Sequence, residues 1–390
     1  MFSSRLPAEL ARNAVTAALE QQKRAGHTVL DLTQTNPTSV GLAYSAGQLD
    51  ALADPRAAAY APDPLGLPEA RIAVAASYAA HGSAVTADRL VLTASTSEAY
   101  AFLFKLLCDP GDRILVPRPS YPLFDMLAGL EGVEAASYPL HIFDAGSIDR
   151  AGLIGQITAR SRAILVVSPN NPTGSRLRTA DREWLVGVAR EHGLALVSDE
   201  VFADYPLRSR SDASSLLDED RVLTFTLGGL SKSAALPQVK LAWIAVSGPD
   251  DERRQALDRL ELIADTYLSV STPVQLAAAR LLESGRATRS TVLARLSDNL
   301  NSLRAVVKSH SALTLLEPEG GWSVVVRVPA VMTEEALVLR LVNEACVLVH
   351  PGFFFDFPEE AFVVLSLLPA PAQFSDGVQR LAKFIERSLE

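Results

Sequence analysis

Lys232 stands in the setting with the clearest chemistry. It lies in Leu230-Ser231-Lys232-Ser233, after the apolar-flanked run Val222-Leu223-Thr224-Phe225-Thr226 and the pair Gly228-Gly229. A lysine placed after a buried-type strand and two glycines can be held at a fixed depth in a cleft. An amine there can form a Schiff base with an aldehyde. Taken alone, the setting also describes a solvated surface lysine. Two segments precede it in order, Ser168-Pro169-Asn170-Asn171-Pro172-Thr173-Gly174 and Ser198-Asp199-Glu200-Val201-Phe202, and Lys240 follows it. Asp199 comes at the end of the apolar run that starts Leu194-Ala195-Leu196-Val197, where an acid can cap a helix or fix a charge against a ligand. Asn171 sits in a proline and glycine turn that presents its amide rigidly, and an ordinary turn would use the same residues.

That ordered set resembles the class I and II aminotransferases of the fold-type I pyridoxal phosphate family, over roughly residues 30–367. The resemblance implies pyridoxal 5'-phosphate as cofactor and Lys232 as the residue that holds it and shuttles a proton. It implies that Asp199 faces the pyridine nitrogen and that Asn171 donates to the ring hydroxylate. Tyr121, in Pro119-Ser120-Tyr121-Pro122, matches the aromatic that stacks on the ring. Lys232, Asp199 and Tyr121 are therefore the expected catalytic residues. Ser95 and Thr96 precede a helix expected from Ser97, and a helix N-terminus with small hydroxyl residues suits a phosphate, although they would also serve as simple caps. Lys240 falls where the family commonly has an arginine for the same phosphate; it keeps the charge and loses the bidentate fork. Tyr60 resembles the tyrosine that reaches the phosphate of a neighbouring subunit, which implies a homodimer with shared active sites.

Several positions depart from the family pattern. Phe202 stands where many members have a tyrosine, Gly229 where a phosphate-binding serine is common, and Ser95 where glycine is usual. The largest departure is Val364, in Phe362-Val363-Val364-Leu365-Ser366, where the family carries an arginine that grips the substrate α-carboxylate. Arg118 and Arg327 are the candidate replacements, and the run Phe353-Phe354-Phe355-Asp356-Phe357 suggests an apolar substrate entrance or simply core.

Short apolar runs at 91–93, 113–116, 163–167, 194–197, 222–225 and 241–246, with helices between several of them, read as strands buried on both faces. Their alternation with helices points to an α/β fold with a mainly parallel sheet, and the resemblance implies the fold-type I transferase form of it: seven strands between helices, with a smaller α+β C-terminal domain. Residues 1–45 are expected to pack with the small domain, 46–280 to form the large cofactor-binding domain and 281–390 the small one. Helices are expected at 7–24, 68–80, 97–107, 250–265, 271–284, 286–308 and 373–388.

With 390 residues, 48% of them hydrophobic, the chain can bury a large core. A net charge of -9 and no basic patch argue against nucleic acid as a partner. No run approaches a membrane span, no histidine spacing suggests a metal, and the cytoplasm is the expected location. The expected function is transfer of an amino group from an amino acid or amine donor to a 2-oxo acid by a ping-pong mechanism. A C–S or β-lyase using the same cofactor is the alternative, and a non-catalytic cofactor-binding module the remote one.

Overall fold

The computed structural model describes residues 2–6, 13–44, 47–144 and 146–390. The short strand β1 (Leu30–Asp31) follows helix α1 (Ala14–Arg24). Residues 7–12, the first third of the helix expected from Pro7, lie outside the described residues. Strands β2 (Leu90–Thr93), β3 (Arg113–Arg118), β4 (Glu134–His141), β5 (Ser147–Ile148), β6 (Ser161–Val167), β7 (Ala195–Asp199), β8 (Thr224–Gly229) and β9 (Ala242–Ser247) form one sheet in the order 2-9-8-7-6-3-4-5. Its neighbours are parallel except around β9 and at the two-residue edge strand β5. The sheet is thus the expected seven strands plus that short edge.

Alternate residues of these strands feed cores on opposite faces, as a two-residue side-chain period requires. Ala163, Leu165 and Val167 of β6, with Ile244 and Val246 of β9, join a cluster that includes residues of α3 (Thr96–Leu107), α4 (Phe124–Leu130) and α8 (Asp250–Tyr267). Ile164 and Val166 turn the other way, toward α5 (Arg150–Gln156) and α6 (Thr179–His192). Trp243 and Ala245 pack with α2 (Pro68–Ala79) and the first half of α9 (Thr272–Ser309). Burial on both faces explains why these strands read as continuous apolar runs.

A second, antiparallel sheet has the order β10 (Thr314–Leu316), β11 (Ser323–Arg327), β14 (Phe362–Ser366), β13 (His350–Pro351). β12 (Val347–Leu348) pairs with β1, which sets Leu30–Asp31 beside this smaller unit. Its core combines Val324, Val326, Val363 and Leu365 with Leu32, the second half of α9, α10 (Glu334–Arg340) and α11 (Pro371–Arg387).

The helix expected to break between residues 284 and 286 does not break: α9 runs for 38 residues through Gly285. A Cβ built on Gly285 would lie 2.4 Å from Cβ of Ala234, just beyond the four-residue helix α7 (Leu230–Ser233). The glycine allows a close approach rather than a stop. None of the described helices is long and apolar enough to cross a membrane.

Candidate active site

β6, β7 and β8 lie side by side and parallel, so their carboxyl ends share one edge of the sheet. The Asn171 turn leaves the first, Asp199 ends the second, and α7 with Lys232 leaves the third. Strand ends of this kind form the crevice where open α/β sheets bind ligands.

Asp199 is half-buried at the end of β7, and desolvation pushes its carboxyl above the usual carboxylate range. Two donors oppose that rise: the Tyr100 hydroxyl at 2.7 Å from Oδ2 and the Val201 N–H at 3.2 Å from Oδ1. The Lys232 charge acts in the same direction. Tyr100 comes from α3 and is itself buried; its phenol is held well above the usual value, first by burial and then by the Asp199 charge.

The Lys232 amine lies over two rings, 4.6 Å from the Trp322 centroid and 5.2 Å from that of Phe202. Burial lowers its pKa to about 8, and the Asp199 charge only partly offsets the fall. Its main-chain carbonyl accepts a 2.6 Å hydrogen bond from the Tyr205 hydroxyl. Trp322 packs edge-on against both Phe202 and Tyr205.

Asn171 accepts a hydrogen bond from the Ser323 hydroxyl at 3.1 Å, which leaves its Nδ2 to act as a donor. Its neighbour Asn170 braces the turn. Its Oδ1 accepts from the Thr173 hydroxyl at 2.9 Å, and its Nδ2 donates to Pro119 O at 3.3 Å. The second contact ties the turn to the segment that carries Tyr121. Tyr121 is 41% exposed, so a ring face is open to a ligand. Burial and the nearby Asp199 charge raise its phenol pKa.

Ser95 caps α3 by accepting from Glu98 N–H at 3.1 Å, and Glu98 accepts in return from Ala94 N–H at 2.7 Å. Thr96 is the first residue of that helix. Lys240 is exposed and in a left-handed conformation, with φ 56, directly after the turn Pro237–Val239. Tyr60 is 82% exposed on an outer loop beside Leu268 and Ser269, and this single chain does not bring it to the other site residues.

Val364 pairs with Val325 across β14 and β11 and is buried with Phe355, Phe357 and Phe362. Of the two arginines expected to compensate, Arg327 lies opposite Phe362, with its guanidinium 5.4 Å from the Phe143 ring centroid. Arg118 pairs with Asp125 at 2.6 Å and also with Asp356. Sequence reasoning missed Tyr100, Tyr205, Trp322 and Ser323. Tyr100 had a faint signal, a tyrosine on the apolar face of the helix behind Ser95. The described residues contain no cluster of metal-ligating side chains.

A family profile described as "Aminotransferase class I and II" matches residues 25–369. The alanine aminotransferase of Mycobacterium tuberculosis is 28% identical over 370 residues, 92% of this chain and 86% of that one. The glutamate-pyruvate aminotransferase AlaA of Escherichia coli is 26% identical over 385 residues, 96% of this chain and 94% of its own. The crystal structure of an Escherichia coli aminotransferase superposes with a TM-score of 0.87 at 25% identity, covering 99% of this chain and 98% of that one. An alanine aminotransferase from Pyrococcus furiosus shares the fold with a TM-score of 0.90 at 24% identity, over 99% and 100% of the two chains. The chain belongs to the class I and II aminotransferases, enzymes that use pyridoxal phosphate.

Proposed function

We propose that this aminotransferase carries an amino group from a donor amine or amino acid to a 2-oxo acid in a ping-pong cycle, with Lys232 holding the cofactor covalently. The observation that carries the reading is the Lys232 amine: set over Trp322 and Phe202, with its pKa brought down to about 8 by desolvation, and facing the charge of Asp199. A lysine in bulk water is almost wholly protonated at neutral pH; this one has an accessible neutral form.

The side chains at the strand ends fit pyridoxal phosphate. Asp199 would meet the ring nitrogen, and its bonds from Tyr100 and Val201 favour the ionised form against burial. Asn171, held by Ser323, would offer Nδ2 to the ring oxygen. Phe202 leaves that oxygen without a phenol donor and lines the site as an apolar wall. Tyr121 would cover one ring face. Ser95, Thr96 and the N-terminus of α3 would take the phosphate, with the Lys240 charge nearby and Tyr60 contributed by a second copy in a homodimer.

The cofactor supplies the electron sink that allows a carbon–hydrogen bond of the donor to ionise. The chain supplies the rest. The neutral Lys232 Nζ takes and returns the proton, Asp199 fixes a negative charge, and the Trp322–Phe202 wall keeps water from the amine.

Borohydride reduction of the holoenzyme followed by peptide mass spectrometry should find the cofactor on Lys232. A label on another lysine would overturn the reading. Release of pyruvate and ammonia from a donor with no oxo acid present would mark a lyase instead.

A further inference from the structure

Arg118 ends β3, three positions before Tyr121, and the intervening Pro119 and Ser120 are tied to Asn170. Its guanidinium is shared between two carboxylates. Asp125 belongs to α4 on the same side of the chain, whereas Asp356 lies on the segment that follows β13 in the smaller domain. The same segment is pinned beside Arg118 by a hydrogen bond from Ser120 N–H to Phe355 O at 3.0 Å. Phe355 and Phe357 close over Val325 and Val364, and the titratable neighbour opposite Val364 is His350, whose pKa burial lowers, so it supplies no fixed positive charge there. Arg327 is farther out, two residues beyond Val325 along β11, a step of about 7 Å.

Asp356 is thus an acid from one domain seated on an arginine beside the Tyr121 turn of the other. It is 45% exposed at the side chain, where Arg118 is 19% exposed. Asp125 is more exposed still, at 58%, so exposure does not choose between the two acids; Asp356 is the one that comes from the other domain, and an exposed ion pair adds little net stability. We propose that Arg118 is the substrate-binding residue that selects donors carrying a carboxylate, and that Asp356 occupies its place until the donor carboxylate displaces it. Nη1 changes partner while Nη2 stays on Asp125, so the guanidinium keeps its aim throughout the exchange. Departure of Asp356 also loosens the aromatic segment, which links carboxylate binding to opening of the entrance. The inference rests on the aminotransferase reading of the site.

The test uses the holoenzyme and its Asp356→Asn and Arg118→Leu variants. Asp356 has φ 57, a left-handed conformation that asparagine adopts readily, so the first variant keeps the backbone. Two readouts are compared: the donor concentration dependence of the absorbance change with L-alanine and with hexylamine, and the calorimetric affinity for the unreactive carboxylate hexanoate. Removing the competing acid should raise the alanine-to-hexylamine affinity ratio about fivefold and tighten hexanoate by a similar factor, the upper range for an exposed ion pair. Arg118→Leu should bring the ratio down at least tenfold. A ratio that falls or stays constant in Asp356→Asn would overturn the proposal, because a purely structural latch gives no gain on removal. Absence of an imine band in the unaltered protein would instead refute the cofactor reading, and hexanoate binding would still decide the role of Arg118.

Discussion

Replacing Lys232 by methionine should stabilise the cofactor-free protein, and by an amount that depends on pH. Burial lowers the pKa of this amine from its ordinary 10.5 to about 8. The lysine therefore destabilises the fold wherever the unfolded chain holds a proton that the folded chain resists. Below pH 8 that cost is fully present, about 3 kcal/mol for a shift of this size. Between pH 8 and 10.5 the unfolded state binds more protons than the folded one, so stability rises with pH; above that range both forms are neutral and the cost is gone. The wild-type chain should carry a penalty of about 3 kcal/mol at pH 7 and about 2 kcal/mol at pH 9. Methionine fills a similar volume and has no proton to lose. The stability gap between the two proteins, from urea unfolding at each pH, should narrow by about 1 kcal/mol from pH 7 to pH 9. Titrating groups that do not feel the Lys232 charge are common to both proteins and cancel in the difference; Asp199 is the one that feels it. A gap that is equal at the two pH values would refute the claim that this amine is desolvated.

Tyr100→Phe removes the hydroxyl that donates to Asp199 at 2.7 Å and leaves the ring in place. A hydrogen bond to a charged group is worth about 1.5–3 kcal/mol, so the dissociation constant for pyridoxal phosphate should rise at least tenfold by fluorescence titration; unchanged affinity would separate Tyr100 from the cofactor site. Gly285→Val puts a side chain where a Cβ already lies 2.4 Å from Ala234. Overpacking of this kind costs about 1–3 kcal/mol in denaturant unfolding, and a stabilised variant would show that the approach of the two helices is looser than described.

The centre of the large sheet was legible because β6, β7 and β8 are buried on both faces and so read as unbroken apolar runs. β4 was not, since its exposed and buried residues alternate near the sheet edge and no apolar run marks it. The glycine in α9 looked like a stop because its reason, Ala234, lies some fifty residues earlier in the chain. The same limit applied at the site. Asp199, Asn171 and Lys232 stand in short recognisable segments, whereas Trp322 meets Lys232 only after the smaller sheet docks beside the larger one. Val364 was visible as a departure, but its burial under Phe355 and Phe357 depended on how the segment after β13 folds back.

The 38 residues of α9 make a rod about 57 Å long that belongs to both domains. Its first half packs Val274, Ala277 and Leu281 into the large-sheet core; its second half packs Val292, Leu296 and Leu300 into the core of the small sheet. Asn299 fastens the far end by donating to Leu367 O and Pro369 O, each at 2.8 Å. Near the middle, Gly285 rests on Ala234, close to the lysine. A swing of one domain against the other therefore cannot be absorbed by a loose joint along this path. It must flex the rod or slide over its flank, and the fulcrum is the glycine contact. If the entrance opens as proposed, its motion would bear on the glycine contact behind the lysine segment, and a stiffer rod would trade speed of admission for a more firmly held amine.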